Sequence, residues 1–161
     1  MSSRGLLLTI LLVVPLAVAT GTPSIEVTTD PVQLDIDETG LSSGAGSGFE
    51  AWFETAADAQ SIDVRFPSGN WEVYVSRSDS SWDSDLHLYV RRTGDGWSLS
   101  GTISGGTSYQ EVTTSELSFY SGTGGRYAVP VQYQVTGSYI DLGIGPGTYT
   151  TTITYTLYDD L

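Results

Sequence analysis

Apolar and polar residues alternate with a period of two along most of this chain. The clearest run sets Tyr149, Thr151, Ile153, Tyr155 and Leu157 against Thr150, Thr152, Thr154, Thr156 and Tyr158. Nearly all of these are β-branched or aromatic, which is a strand signal with no helical rival. A Gly145-Pro146-Gly147 turn leads into it. One face suits an apolar core, and the threonine face tolerates water or another protein. Ile62, Val64 and Phe66 alternate likewise, then Pro67 to Asn70 reads as a turn, then Trp71, Val73 and Val75 alternate again. That pattern predicts a hairpin. Leu86, Leu88 and Val90 are expected inward, with His87, Tyr89 and Arg91 opposite. Tyr127, Val129, Val131, Tyr133 and Val135 alternate too, with Pro130 on their outer face, so that strand is expected near an edge or bulged.

Weaker signals fill in the rest. Ile25 to Val27 and Val32 to Ile36 read as an opening strand pair or one kinked edge strand, with Pro31 between them. Phe49 to Thr55 reads as a strand with either Phe49, Ala51 and Phe53 inward, or Trp52. Trp52 and Trp71 are expected in the core, as is usual for tryptophan on the strands of a sandwich. Short strands near Ile103, Tyr109 to Val112 and Leu117 to Tyr120 complete the set. There are 19 glycines and no apolar period of 3.6. The expectation is an all-β chain folded as an Ig-like antiparallel β-sandwich of about seven to nine strands.

The first residues follow a different pattern. Arg4 precedes an apolar run from Gly5 to Leu16, and Ala17-Val18-Ala19 offers a small-x-small cleavage site. This reads as a secretory signal peptide over 1–19, removed after Ala19. The apolar run is short for a membrane span. No Cys follows it, which argues against a lipoprotein anchor. The expected organisation is then a leader at 1–19, an N-terminal strand or arm with a Gly/Ser-rich linker at 20–48, and a sandwich body at 49–161. Residues 20–161 are expected to form one domain. No hydrophobic tail or sortase-type motif ends the sequence, so the exported protein is expected to be released or held by other proteins.

Composition narrows the chemistry. Formal charge is −13, with six arginines and no lysine. That balance argues against nucleic acid and against anionic membrane surfaces as partners. The absence of Cys removes disulfides, thiol nucleophiles and thiolate metal sites. The absence of Lys removes Schiff-base chemistry and lysine isopeptide links. Asn70 is the only asparagine and does not open a glycosylation sequon.

Three stretches carry a resemblance. Asp30-Pro31-Val32-Gln33-Leu34-Asp35, Trp71-Glu72-Val73-Tyr74-Val75 and Gly145-Pro146-Gly147-Thr148-Tyr149-Thr150 together resemble bacterial and archaeal surface proteins of Ig-like type. These include pilin-like and spore-coat-U-like subunits and WxL cell-surface domains. The resemblance implies an extracellular structural or adhesive role. The chain departs from it in two ways. Pilins and spore-coat-U-like subunits usually carry a disulfide, absent here. WxL domains carry a second Trp motif where this chain has Thr154-Tyr155-Thr156.

Candidate sites are few. His87 is the only histidine and falls on a polar face, so it reads as a solvated side chain rather than a catalytic base. Glu72, Glu111 and Glu116 are scattered acids more than a glycosidase pair, so a small glycoside-active enzyme is the weakest reading. Ser78 to Asp85 reads as an acidic loop whose Asp79, Asp83 and Asp85 offer oxygen ligands suited to calcium, against the ordinary reading of a solvated loop. No other cofactor is expected. Trp82 and Trp97 lie in or beside loops and suit stacking on sugar rings; the ordinary reading of Trp82 is a plug over the sandwich end.

These readings converge on a secreted, non-catalytic structural or adhesive protein of the cell surface. Its expected partners are copies of itself or other surface proteins, met through sheet edges, with residues 24–37 as a strand to pack in cis or lend in trans. The alternative is an extracellular carbohydrate- or calcium-binding module. No membrane span is expected after leader removal.

Overall fold

The computed structural model describes residues 6–10, 22–28, 31–36, 52–136 and 147–159. The expected cleavage site at Ala17 to Ala19, the Gly/Ser stretch at 41–48, Phe49 and the connection at 139–142 lie outside them. Twelve strands run in order: β1 (Leu6–Ile10), β2 (Ser24–Val27), β3 (Val32–Ile36), β4 (Trp52–Glu54), β5 (Gln60–Arg65), β6 (Asn70–Ser81), β7 (His87–Arg92), β8 (Ile103–Gly105), β9 (Gln110–Glu111), β10 (Leu117–Thr123), β11 (Arg126–Thr136) and β12 (Thr148–Asp159). One sheet has the order β3-β1-β12-β6-β10-β8, and the other β2-β5-β11-β7-β9 with β4 also beside β11. All neighbours are antiparallel except β1 and β12, which run parallel. The protein is therefore an all-β sandwich, with more strands than the pattern alone suggests.

The alternation in the sequence sets which side chains meet between the sheets. Val73 and Val75 of β6, Ile153 of β12 and Phe119 of β10 face Ile62 and Val64 of β5, Leu88 and Val90 of β7, and Val129 and Val131 of β11. Each buried Val, Leu or Ile stabilises by about 1.5–3 kcal/mol as an upper bound. Trp71 is also buried, edge-on to Tyr120 with ring centroids 5.9 Å apart, and its indole N–H donates to Gly124 O at 2.9 Å. One polar chain crosses this apolar layer. The Tyr133 hydroxyl donates to Gln60 Oε1 at 2.6 Å and lies 3.0 Å from the Tyr155 hydroxyl. Gln60 in turn donates to Thr28 O at 3.2 Å.

Several expectations are corrected. β5 and β6 do not form a hairpin; they lie in different sheets, and Phe66 to Gly69 arches between them. Phe66 turns into the left-handed region at φ 53°, Pro67 has no N–H to continue a ladder, and Ser68 N–H donates to the Asp159 carboxylate at 3.0 Å. The chain is thereby turned toward β12 rather than back along β5. β2 and β3 likewise belong to opposite sheets, β2 against β5 and β3 against β1. Val27, Val32 and Leu34 are buried, with β2 held by β5 and β3 held by β1 of the segment that reads as a leader. Trp52 is exposed and its neighbour Phe53 packs on the core. Of the two readings of the Pro130 strand, the bulge holds and the edge does not: β11 is central to its sheet and its register shifts between Arg126 and Val129.

Candidate functional site

The acidic stretch is partly strand. β6 continues to Ser81, pairing Ser78, Asp79 and Ser81 with Thr152, Thr151 and Thr150 of β12. Polar threonines on β12 give these polar residues partners, which is why serine and aspartate here form a ladder. Asp79 pairs with Arg77 and accepts a hydrogen bond from the Thr151 hydroxyl at 2.9 Å. Asp83 accepts from the Asp85 N–H at 2.9 Å, closing the short turn that follows. Among the described residues no three His, Cys, Asp or Glu side chains come together as metal ligands. Asp79 is thus turned to a cation already in the protein, while Asp83 and Asp85 lie beyond the strand end. Trp82 covers this end of the sandwich. Its indole N–H donates to Leu86 O at 2.8 Å, and the Arg77 guanidinium lies 5.4 Å from its ring centre.

Trp97 lies elsewhere. β6 spans roughly 36 Å for its residues at about 3.3 Å each. Its Trp71 end touches Gly124, and its Ser81 end leads into Trp82. Trp97 pairs with Tyr127, just past Gly124, so the two tryptophans sit at opposite ends of the molecule. The backbones of Trp97 and Tyr127 exchange both hydrogen bonds, at 2.9 and 3.0 Å. Their rings stack at 4.5 Å with 23° between planes, and Trp97 keeps 57% of its surface exposed.

The backbone holds this pair tightly. A Cβ on Gly96 would lie 2.3 Å from Tyr127 O, and one on Gly101 would lie 1.9 Å from Thr123 O; both glycines have positive φ. The segment from Gly96 to Gly101 is therefore pressed against the chain from Thr123 to Tyr127. Ser98 and Ser100 bond to each other across Leu99, which is 96% exposed. Beside the pair, the β11 bulge puts Ala128 at φ 51°, with its N–H donating to Asp63 Oδ1 at 2.8 Å. Phe66 and Ala128 are the two non-glycine residues with positive φ among the described residues. Each such conformation costs roughly 1–2 kcal/mol, and both lie close to this end. Two residues before Trp97, the Asp95 carboxylate pairs with Arg92, whose side chain is buried and also donates to Gly94 O.

His87 Nδ1 lies 2.7 Å from Glu111 Oε1, with both side chains near half exposed. A carboxylate partner on an open surface makes it one end of a cross-strand pair between β7 and β9.

The remaining candidate surface is a sheet edge. One edge of β12 pairs with β6 from Thr150 to Asp159, and the other, among the described residues, meets β1 over Thr148 to Thr151. β3 has β1 as its strand neighbour. Tyr127 and Asp95 were not legible as site residues, though glycine pairs beside each, Gly94 and Gly96, then Gly124 and Gly125, mark where backbones approach closely. No family model, curated protein or solved structure matches this chain.

Proposed function

We propose that this chain is an exported, non-catalytic structural or adhesive subunit of the cell surface that joins its neighbours through sheet edges. The observation that carries the reading is the pairing of β12 with a strand from the leader-like stretch. Its outer edge has β1 as a partner for four residues, Thr148 to Thr151, and β1 lies inside the stretch that reads as a leader. Among the described residues, removal of that leader leaves the outer edge of β12 without a strand partner and takes from β3 its strand neighbour. Open edges present unpaired backbone groups, and pairing with another chain satisfies them with little demand on sequence. The outward threonines of β12, Thr152, Thr154 and Thr156, are only half-buried and suit such a contact.

The competing arrangement is closure within one chain. β3 runs antiparallel to β1 and so also to β12, and it has the direction needed to pair with β12 directly. Size-exclusion chromatography with light scattering on residues 20–161, followed by negative-stain microscopy, separates the two. Filaments or large oligomers, dispersed by a synthetic peptide spanning residues 4–12, are expected. A monomer indifferent to that peptide means that β3 has closed the gap and strand addition is wrong.

A further inference from the structure

We propose that the Trp97–Tyr127 end is a binding site for neutral glycans, with the exposed face of Trp97 as the stacking platform and Asp95 as the oriented hydrogen-bond acceptor. The site is distinct from the sheet edge and does not rest on strand addition.

Three observations carry it. The first is a ring held for use. Tyr127 covers one face of Trp97 at 4.5 Å and leaves the indole more than half exposed. The axial C–H groups of a pyranose ring form a flat apolar face that matches an indole face. The second is rigidity. The reciprocal backbone bonds between Trp97 and Tyr127, and the lack of room for a Cβ at Gly96 and Gly101, fix the segment without any large side chain beneath it. A platform fixed before binding loses little freedom on binding. The third is the acceptor. Asp95 is two-thirds exposed, yet its carboxylate is held by the buried Arg92. Its Cα lies within about 7.6 Å of that of Trp97, two peptide units away. A carboxylate accepts from two adjacent sugar hydroxyls, and one that is already oriented discriminates between them.

The backbone strain points the same way. Phe66 and Ala128 adopt left-handed conformations near this pair, and the Ala128 bulge alters how Tyr127 meets its neighbours. Strain and bulges of this kind gather where a side chain has to be aimed. A lipid surface is the other occupant that an exposed Trp97 and Leu99 suggest. The acidic chain, at −13, disfavours anionic bilayers, and an exposed carboxylate beside the ring disfavours burial in any bilayer.

The test is affinity electrophoresis of the protein through gels containing hydroxyethyl cellulose, laminarin, dextran or galactomannan, with sedimentation on phosphatidylcholine vesicles alongside. Retardation by at least one polysaccharide is expected. Trp97→Ala should weaken it by at least about tenfold, and Asp95→Asn severalfold. Trp52→Ala, which removes an equally exposed tryptophan on β4, should leave it unchanged. Thermal melts of each variant show whether it is folded, and Asp95→Asn keeps a side-chain oxygen for Arg92 if Trp97→Ala fails to fold. No retardation by any of the four, or retardation that survives Trp97→Ala, overturns the proposal. So does vesicle binding lost on Leu99→Ser, which would assign the patch to lipid. The gel detects binding by monomer or oligomer alike, so its failure says nothing against strand addition.

Discussion

The hydroxyls of Tyr133 and Tyr155 meet 3.0 Å apart inside the sandwich, one from β11 and one from β12. Tyr133 donates its single proton to Gln60, so Tyr155 donates to Tyr133. The order of donation makes the two residues unequal. Tyr133→Phe takes a donor from Gln60 Oε1 and the acceptor from the Tyr155 hydroxyl, whereas Tyr155→Phe removes only the first donor. Urea denaturation should show Tyr133→Phe losing about 2–3 kcal/mol and Tyr155→Phe about 1 kcal/mol. Equal losses would mean that the proton order is wrong.

The same tyrosines set the alkaline limit of the fold. Burial pushes the hydroxyls of Tyr120, Tyr133 and Tyr155 well above their ordinary value near 10, and pushes Tyr109 up to about 12. These groups ionise more readily in the unfolded chain. Their contribution is complete below pH 10, the unfolded value, and falls as pH rises from there toward the folded values. Each tyrosine that ionises only on unfolding lowers stability by about 1.4 kcal/mol per pH unit in that window. Urea midpoints from these groups should be level between about pH 8 and about pH 9.5 and drop steeply by about pH 11. Tyrosinate absorbance should appear with unfolding and not before it.

Gly101 and Gly122 are closed to any side chain. At Gly122 a Cβ would fall 2.2 Å from Thr102 O and 2.6 Å from the Trp71 ring. Gly101→Ala and Gly122→Ala should each cost roughly 2 kcal/mol or more in a thermal melt. Gly147→Ala, where among the described residues the nearest atom is the Tyr149 ring at 3.6 Å, should stay within about 0.5 kcal/mol of the parent. A mild effect at Gly101 would show that the 96–101 segment yields easily, which would also weaken the case for a fixed platform.

Phe66 combines a left-handed backbone with a side chain that is 55% exposed. Phe66→Gly relieves the strain and gives up little packing, although it loosens the unfolded chain. A gain of about 0.5–1 kcal/mol in chemical denaturation is expected. A loss of similar size would mean that the ring supports the arch.

What the sequence revealed follows from what a period of two encodes. The buried faces of Trp71–Val75, Leu86–Val90 and Tyr149–Leu157 were all legible, because alternation states which side chains leave water. It does not state which strand lies alongside. A hairpin and an arch place Val64 and Val73 in the same core, so β5 and β6 looked paired when they belong to opposite sheets. Adjacent aromatics carry the same ambiguity: Phe53 and Trp52 differ by one position, and burial chose Phe53. The serine and aspartate run at the end of β6 looked like loop because its partners, the threonines of β12, lie some 70 residues away. Trp97 stood out by type, but its partner Tyr127 and the buried Arg92 behind Asp95 are long-range choices that no local pattern carries.

β12 has a consequence for how the protein is made. It is the latest strand in the described chain, yet it pairs along β6, made far earlier, and supplies Tyr155 to the polar bridge. A ribosome delivers β6 well before β12. During that interval the edge of β6 that meets β12 waits for its partner. Closure between such distant segments is slow because loop entropy is lost before contacts form. This sandwich therefore cannot complete the sheet around β6 until β12 has been made.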